Sequence, residues 1–327
     1  MRRGIAKTGE GSALGLPKAA GLWQPFIGSA RRRHLLPGID RIQQVLFIAP
    51  TCLYLVFLTI YPFIYSVYLS LHKVRLTTLH RMLFVGLQNY VDLLQDGLFL
   101  HSVGNTAMLI VASLVLEILI GFAVAKVFYE IGHIRWANGL RSVYLMPMML
   151  TPLSVGVTFG YILNPTLGIM NYLLQRLGLP PVPWFGEPTA AQISIMLINV
   201  WQWAPFMMLL ILAGLTSIPE DIYEAARVDG ARWHHIVRFV EIPSVRSIIL
   251  LGVILRIIDM LRFFDVVYIT TRGGPGDSTM VVTLYAYQQD FQYFDVGSGS
   301  AAAVLILIIS IIVTTFAVHF LRNIENE

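Results

Sequence analysis

Four ionisable residues lie within one otherwise apolar segment of the sequence. Because residues three apart are neighbours on a helix, successive opposite charges in this segment can pair with one another. Carboxylate and guanidinium groups can instead hydrogen-bond the hydroxyl groups of a polar solute. The pattern therefore indicates either ion pairs within the protein or a polar path through it. The four residues are Arg256, Asp259, Arg262 and Asp265, and the aromatic Phe263 lies among them.

A second set of polar side chains occurs in an uncharged apolar segment. Asn199, Gln202 and Trp203 fall on one face of a predicted helix, and Pro205 follows them. Amide groups recognise hydroxyl groups, and an indole ring stacks on the apolar face of a ring-shaped solute. Such groups also bond one helix to another within a bilayer. Solute binding and helix packing both remain open for these residues.

The sequence lacks the residue patterns expected for nucleotide binding, metal binding or catalysis. The sequence contains no Gly-Lys pair, so the phosphate-binding loop G-x-x-x-x-G-K-[ST] is absent. The eight histidines are scattered, and His234 and His235 are adjacent, so on a helix they point apart. We therefore predict no metal site, no bound cofactor and no catalytic residues, and hence no enzyme.

The composition is that of a membrane protein. Hydrophobic residues form 56% of the 327 residues and charged residues 13%, whereas soluble chains average roughly 45–50% and about 25%. So few charges could not cover a soluble fold of this size. The single cysteine, Cys52, excludes a disulfide within the chain.

Six segments are long and apolar enough to cross a bilayer, which needs about 20 helical residues. None alternates like a barrel strand, and irregular backbone does not face lipid, so we predict helices. The sequence therefore predicts an all-α membrane protein with six transmembrane helices. They span approximately residues 45–71, 104–125, 142–163, 190–215, 247–271 and 297–321.

Basic residues predict the orientation of these helices. With the N-terminus in the cytosol, sixteen of the 23 Lys and Arg residues lie inside and five lie outside. The positive-inside rule therefore favours both termini in the cytosol. The six helices form one predicted transmembrane domain, residues 44–323. Residues 1–43 are basic and lack an apolar core, which predicts a flexible cytosolic tail and excludes a cleavable signal peptide.

The segment 217–243 predicts a helical elbow on the cytosolic side. Ser217 and Glu220 have the spacing of a capping box at the start of a helix. Gly230 supplies the left-handed backbone that ends this helix. A second short helix is expected to stop before Pro243, because the residue preceding a proline disfavours helix.

The order of residues in this elbow resembles a known motif. Glu224-Ala225-Ala226, then Gly230, then Val240-Glu241-Ile242-Pro243 is similar to E-A-A-x3-G-x9-I-x-L-P, the hallmark of permease subunits of ATP-binding-cassette (ABC) importers. The resemblance implies the type I importer permease fold and an elbow that docks on a separate ATPase. It assigns ATPase coupling to Glu224, Ala225, Ala226, Asp229, Gly230, Ala231 and Pro243.

Further segments narrow the resemblance to carbohydrate importers of the maltose and glycerol-phosphate type. These segments are 164–171 followed by Trp184, Phe264-Asp265 followed by 271–275, and Gly86 with Asn89 and Tyr90. The resemblance covers about residues 40–322. It implies a multi-pass protein of the inner membrane. The expected partners are a second permease, two ATP-binding subunits that use ATP and Mg, and an external sugar-binding protein. No nucleic acid is expected to bind.

Under this resemblance the polar residues of the fourth and fifth spans become candidates for a sugar path. They are Asn199, Gln202, Trp203, Asp259, Arg262, Phe263 and Asp265. The alternative for the charged residues is a set of structural ion pairs, which we favour for Arg256. Two other functions stay open: a glycerol-3-phosphate importer, and an ion-coupled secondary transporter, although no second copy of the elbow appears.

Overall fold

The computed structural model describes residues 37–78 and 82–325. Of the predicted N-terminal tail, residues 1–43, the part up to residue 36 lies outside the described residues. The chain divides into two compact units after Thr59. In its described part the first unit is the beginning of helix α1, and every site below belongs to the second unit.

Helices account for most of the described chain, in agreement with the predicted all-α class. Two short antiparallel strands, β1 (His72–Lys73) and β2 (Leu83–Phe84), follow the first helix. The helices are α1 (Pro37–Ser70), α2 (Gln88–Gln95), α3 (Gly97–Glu130), α4 (Ala137–Leu145), α5 (Pro152–Ile162), α6 (Ile169–Arg176), α7 (Pro188–Thr216), α8 (Glu220–Val228), α9 (Trp233–Ile236), α10 (Ile242–Met260), α11 (Asp265–Thr270), α12 (Val282–Phe291) and α13 (Val296–Glu325).

Four of the described helices are long and apolar enough to cross a membrane. They lie in α1, α3, α7 and α13, and the bent pair α4–α5 makes a fifth if it counts as one span. Helix α10, with 19 residues, corresponds to the predicted fifth span but carries Arg246, Arg256 and Asp259. The count of six and the cytosolic position of both termini therefore stay predictions.

The third predicted span, residues 142–163, is wrong as a single straight helix. The chain bends by 97° between α4, with the short 3-10 turn Met146–Met149 that follows it, and α5. Leu150 and Thr151 are extended, with ψ of 144° and 141°. Pro152 lacks an N–H group and favours an extended residue before it. The Thr151 hydroxyl then accepts a hydrogen bond from the Ser154 amide (3.4 Å) and starts a new helix.

The fifth predicted span, residues 247–271, is also wrong in its extent. Helix α10 ends at Met260, and α11 begins at Asp265 after a short break. In this break the Thr283 hydroxyl of α12 donates to the Phe263 carbonyl at 2.6 Å. Backbone groups away from water need partners, and here a distant side chain replaces the next helical turn. The regular three-residue spacing of the four charges therefore does not produce one continuous stripe.

Helix α7 lies at the centre of the packing. A Cβ atom on Gly121 of α3 would come 2.9 Å from the Met207 Cβ, and one on Gly252 of α10 would come 3.0 Å from the Met207 sulfur. Small residues thus let α3 and α10 approach α7 closely. The buried side chains of α7 at this core include Ile195, Ile198, Met207, Met208, Ile211 and Leu215.

Candidate functional site

The elbow predicted at residues 217–243 is present as two helical arms joined at Gly230. Gly230 has φ of +76°, the left-handed conformation expected of it. The Ala231 amide donates to the Ala226 carbonyl at 2.9 Å and the Gly230 amide to the Arg227 carbonyl at 3.0 Å. These two bonds form the helix-ending motif in which glycine is favoured.

The start of the first arm differs from the prediction. Helix α8 is preceded by Pro219, which makes no side-chain cap. The Ser217 hydroxyl instead donates to the Gly214 carbonyl of α7 at 2.7 Å. The predicted capping box between Ser217 and Glu220 is therefore wrong, because the preceding helix α7 continues to Thr216 and takes the Ser217 hydroxyl for its own end.

The second arm does not stop before Pro243. Helix α9, a π-helical turn at Val237–Glu241 and α10 form one continuous helical segment. Proline removes one helical hydrogen bond and crowds the carbonyl four residues earlier, and a wider turn relieves both effects. The elbow is consequently joined without a break to the membrane helix α10.

One face of the elbow is free and the other is anchored. Glu224, Ala225, Asp229, Gly230 and Pro243 are exposed, while Ala226 and Ala231 are half-buried. Val228 and Trp233 are also exposed, at 86% and 75%. Five of the seven coupling residues predicted from the resemblance are thus accessible, and exposed apolar side chains lie close to them in the sequence, as at the core of a protein interface.

Tyr223 and Glu241 anchor the elbow to α3. Tyr223 is buried and donates to the Glu241 Oε1 atom at 3.4 Å. Lys126 of α3 lies 2.5 Å from the same oxygen and 3.5 Å from Glu130. Burial, followed by the neighbouring Tyr129 and Glu241, raises the pKa of Tyr223 above its ordinary value, so its hydroxyl remains a donor.

A buried polar cluster connects α3, α7 and α10 within the membrane region. Arg256 is 1% exposed and donates to both oxygens of Glu117, each at 2.8 Å. It also donates to the Asn199 side-chain oxygen at 3.3 Å and to Asp259. The Asn199 amide in turn donates to Glu117 at 3.1 Å. These residues, Glu117, Asn199, Arg256 and Asp259, form what we call the buried cluster.

The buried cluster borders a cleft of about 90 Å³ that is open to the outside. The Arg256 guanidinium lies 4.5 Å from the centre of the Trp203 ring, and Trp203 faces the cleft. Asp259 is 51% exposed and belongs to both the cluster and the cleft. The cleft is lined by Pro152, Gln202, Trp203, Asp259, Arg262, Phe263, Phe264 and Asp265.

The cleft brings together six of the seven residues predicted for a substrate path. The exception is Asn199, which is fully buried behind the cleft in the buried cluster. Gln202 donates to the Leu150 carbonyl at 2.9 Å, where the break between α4 and α5 leaves that carbonyl free. Arg262 and Asp265 are exposed and form no ion pair with any described residue.

Glu117 is a weaker candidate for the substrate path by sequence, and its buried partner Arg256 was not predicted. Lys126, a basic residue of the same helix, lies too far along α3 to pair with Glu117 and pairs with Glu241 instead. The signal that could have found its partner is that an isolated carboxylate in an apolar span requires a buried cation.

Among the described residues, no three His, Cys, Asp or Glu side chains lie close enough to hold a metal ion.

Comparison with known proteins places the chain in a family. The family described as "Binding-protein-dependent transport system inner membrane component" matches residues 117–326, more than half of the chain. The trehalose/maltose transport permease MalF of Thermococcus litoralis is 32% identical over 85% of this chain and 92% of its own. The sulfoquinovosyl glycerol transport permease SmoG of Agrobacterium fabrum is 34% identical over 87% and 92%.

Solved structures show the same fold. A chain of the bacterial alginate ABC transporter, crystallised with a periplasmic protein bound to an alginate pentasaccharide, superposes with a TM-score of 0.75. It covers 89% of this chain and 98% of its own, at 21% sequence identity. The elbow, the helical architecture and the relatives agree, and the chain belongs to the binding-protein-dependent transport system inner membrane components.

Proposed function

We propose that this chain is the transmembrane permease subunit of an ATP-driven sugar importer and forms half of its translocation path. The observation that carries the proposal is an exposed E-A-A-x3-G elbow joined by a continuous helix to a polar, aromatic cleft. Relatives that cover most of this chain are named as permeases for trehalose, maltose and a sulfoquinovosyl glycerol, which supports a carbohydrate.

The partners follow from what this chain holds and lacks. A second permease, a homologue or another copy, would complete the path. Two ATP-binding subunits would dock on the elbow and use ATP and Mg, because this sequence has no phosphate-binding loop of its own. An external sugar-binding protein would deliver the sugar, and the alginate transporter that shares the fold was crystallised with such a periplasmic protein.

The continuous helical segment supplies the mechanical link between the two sites. From Trp233 to Met260 the chain is helical without interruption, a length of about 42 Å at 1.5 Å per residue. A push on the elbow by the closing ATPase would be transmitted to the far end of α10, where Asp259 borders the cleft. Packed helices move as rigid bodies, so such a push would open the cleft to one side or the other.

The cleft has the groups that sugars need. Trp203, Phe263 and Phe264 offer aromatic faces, and Gln202, Asp259, Arg262 and Asp265 offer hydrogen-bonding groups. Aromatic rings with a few well-placed polar groups are the usual lining of a small-molecule site. Asn199 would act behind the cleft, through Glu117 and Arg256, without touching the sugar.

Uptake by the complete importer in proteoliposomes tests this function. The expected result is accumulation of labelled trehalose or maltose that requires ATP and the external binding protein. Accumulation that persisted without ATP and collapsed with the ion gradient would establish an ion-coupled secondary transporter instead. Uptake of glycerol 3-phosphate alone would favour the phosphate-ester alternative, which is supported by an Arg262 side chain that forms no ion pair among the described residues.

Substitution of Gly230 tests the shape of the elbow. A β-branched residue at φ of +76° is strained by about 1–2 kcal/mol or more, so Gly230→Val is expected to reduce ATP-dependent uptake several-fold. Gly178, at the end of α6, is a matched control because it has φ of +75° and the same free space around it. If Gly178→Val reduced uptake as strongly as Gly230→Val, general misfolding would explain both effects.

A further inference from the structure

Four aromatic rings form a continuous series that begins at the cleft. Phe264 and Tyr268 are stacked with ring centres 5.1 Å apart, and Tyr287 lies 5.2 Å from Phe264 and 5.3 Å from Tyr268. Phe291 follows at 5.1 Å from Tyr287. We call these four residues the aromatic ladder. It lies beyond the end of α10 that is remote from the elbow.

The ladder is built from two pairs of residues spaced by four. Phe264 immediately precedes α11 and Tyr268 lies within it, while Tyr287 and Phe291 lie on α12. Residues four apart share one helix face, so each short helix presents two rings to the other. The sequence thus specifies the ladder by local spacing, once the break at residues 261–264 has turned α11 toward α12.

Other side chains of α12 fix the ladder in place. The Tyr285 hydroxyl donates to Asp96, at the start of α3, at 2.6 Å, and Leu284 is fully buried. The Thr283 hydroxyl holds the break itself through the Phe263 carbonyl. Rings on anchored helices keep their orientation, which lowers the entropy lost when a ligand stacks on them.

The ladder has one half-buried end at the cleft and one exposed end at Phe291. Phe264 lines the cleft beside Trp203 and Asp265. Tyr268 and Tyr287 are half-buried, with hydroxyl groups 3.5 Å apart, and Phe291 is 63% exposed. Aromatic bodies with phenolic hydroxyls offer both surfaces that a carbohydrate presents, an apolar ring face and hydroxyl groups.

We propose that the aromatic ladder is a carbohydrate-binding track along which the sugar passes between the outer surface and the cleft. The proposal rests on the proposed function, since it names additional binding positions for the same solute. The occupant is a pyranose or an oligosaccharide. The ladder leads through Phe264 into the hydrogen-bonding groups of the cleft, whereas a row of rings that only faced lipid would need no such polar groups. A sugar would stack on Phe291 and Tyr287 before reaching Phe264.

Two substitutions of Phe291 separate stacking from apolar contact. Phe291→Leu keeps an apolar side chain and removes the ring, whereas Phe291→Tyr keeps the ring. The rate of ATP-driven uptake of labelled trehalose and maltose is measured in proteoliposomes with saturating sugar-loaded binding protein. Loss of one stacking position is expected to lower the rate about tenfold in Phe291→Leu and to leave Phe291→Tyr near the wild type. Tyr293→Leu, at an exposed ring outside the ladder, is the control and should change the rate less than twofold.

Three outcomes would overturn the track. If Phe291→Leu and Phe291→Tyr both transport like the wild type, the ladder is packing or a lipid contact. If Tyr293→Leu is as impaired as Phe291→Leu, any exposed ring on this surface matters and the ladder is not specific. If the wild-type importer takes up glycerol 3-phosphate but neither sugar, the proposed function fails, and the track falls with it because that ester has no pyranose face.

Discussion

Replacing Glu224 by arginine is expected to abolish ATP-coupled uptake while the permease still inserts and folds. Glu224 is exposed on α8, and its side chain forms no ion pair with any described residue. In the proposed importer it would pair with a basic residue of the ATPase. Truncating one partner of a desolvated interfacial charge pair costs roughly 2–5 kcal/mol, and reversing the charge adds repulsion.

Co-purification of the ATPase with the permease and uptake in the same proteoliposomes measure this effect. Glu187→Arg is the matched control, because Glu187 is also exposed and precedes α7, at the opposite end of that helix from the elbow. The control is expected to transport normally. Uptake by Glu224→Arg at the wild-type rate would show that this carboxylate does not couple the two subunits.

Removal of either partner of the Arg256–Glu117 pair is expected to destabilise the folded permease severely. Both side chains are almost completely buried, so Arg256→Leu leaves the Glu117 carboxylate without its cation. Breaking a buried ion pair in this way costs about 3–5 kcal/mol. Asp259 loses the same cation, but at 51% exposure it can be solvated within the cleft. Thermal unfolding in detergent should show a much lower midpoint for Arg256→Leu and for Glu117→Leu.

The double variant separates the charge from the packing. Arg256→Leu combined with Glu117→Leu buries no uncompensated charge, so its unfolding midpoint should recover most of the loss of either single variant. It should nevertheless transport poorly, because the guanidinium that holds Trp203 and Asp259 at the cleft is gone. If the two single effects simply added, the pair would not be the interaction that stabilises this region.

The features predicted correctly depend on residues close together in the sequence. The left-handed turn at Gly230 follows from the absence of a side chain, and the long helices α3, α7 and α13 follow from runs of apolar residues. The substrate path itself stays a prediction, although Gln202, Trp203 and five of the residues from Asp259 to Asp265 line one cleft because two nearby segments pack together.

The features missed depend on distant partners. The break after Met260 is stabilised by the Thr283 hydroxyl, which bonds the Phe263 carbonyl twenty residues earlier in the chain. Glu117 and Arg256 are 139 residues apart, so spacing alone could not pair them. The bend of 97° between α4 and α5 has a local signal in Pro152, but the partner of the Leu150 carbonyl at this bend is the distant Gln202.

The buried link between Lys126 and Glu241 has a consequence for the order of assembly. Because Tyr223 and Glu241 already hold the elbow against α3, the docking face does not have to be shaped by the ATPase. A preformed face loses little conformational freedom on binding, and most of the contact energy remains available for affinity. In the proposed importer, the face that the elbow offers to the ATPase would therefore exist before the two subunits meet.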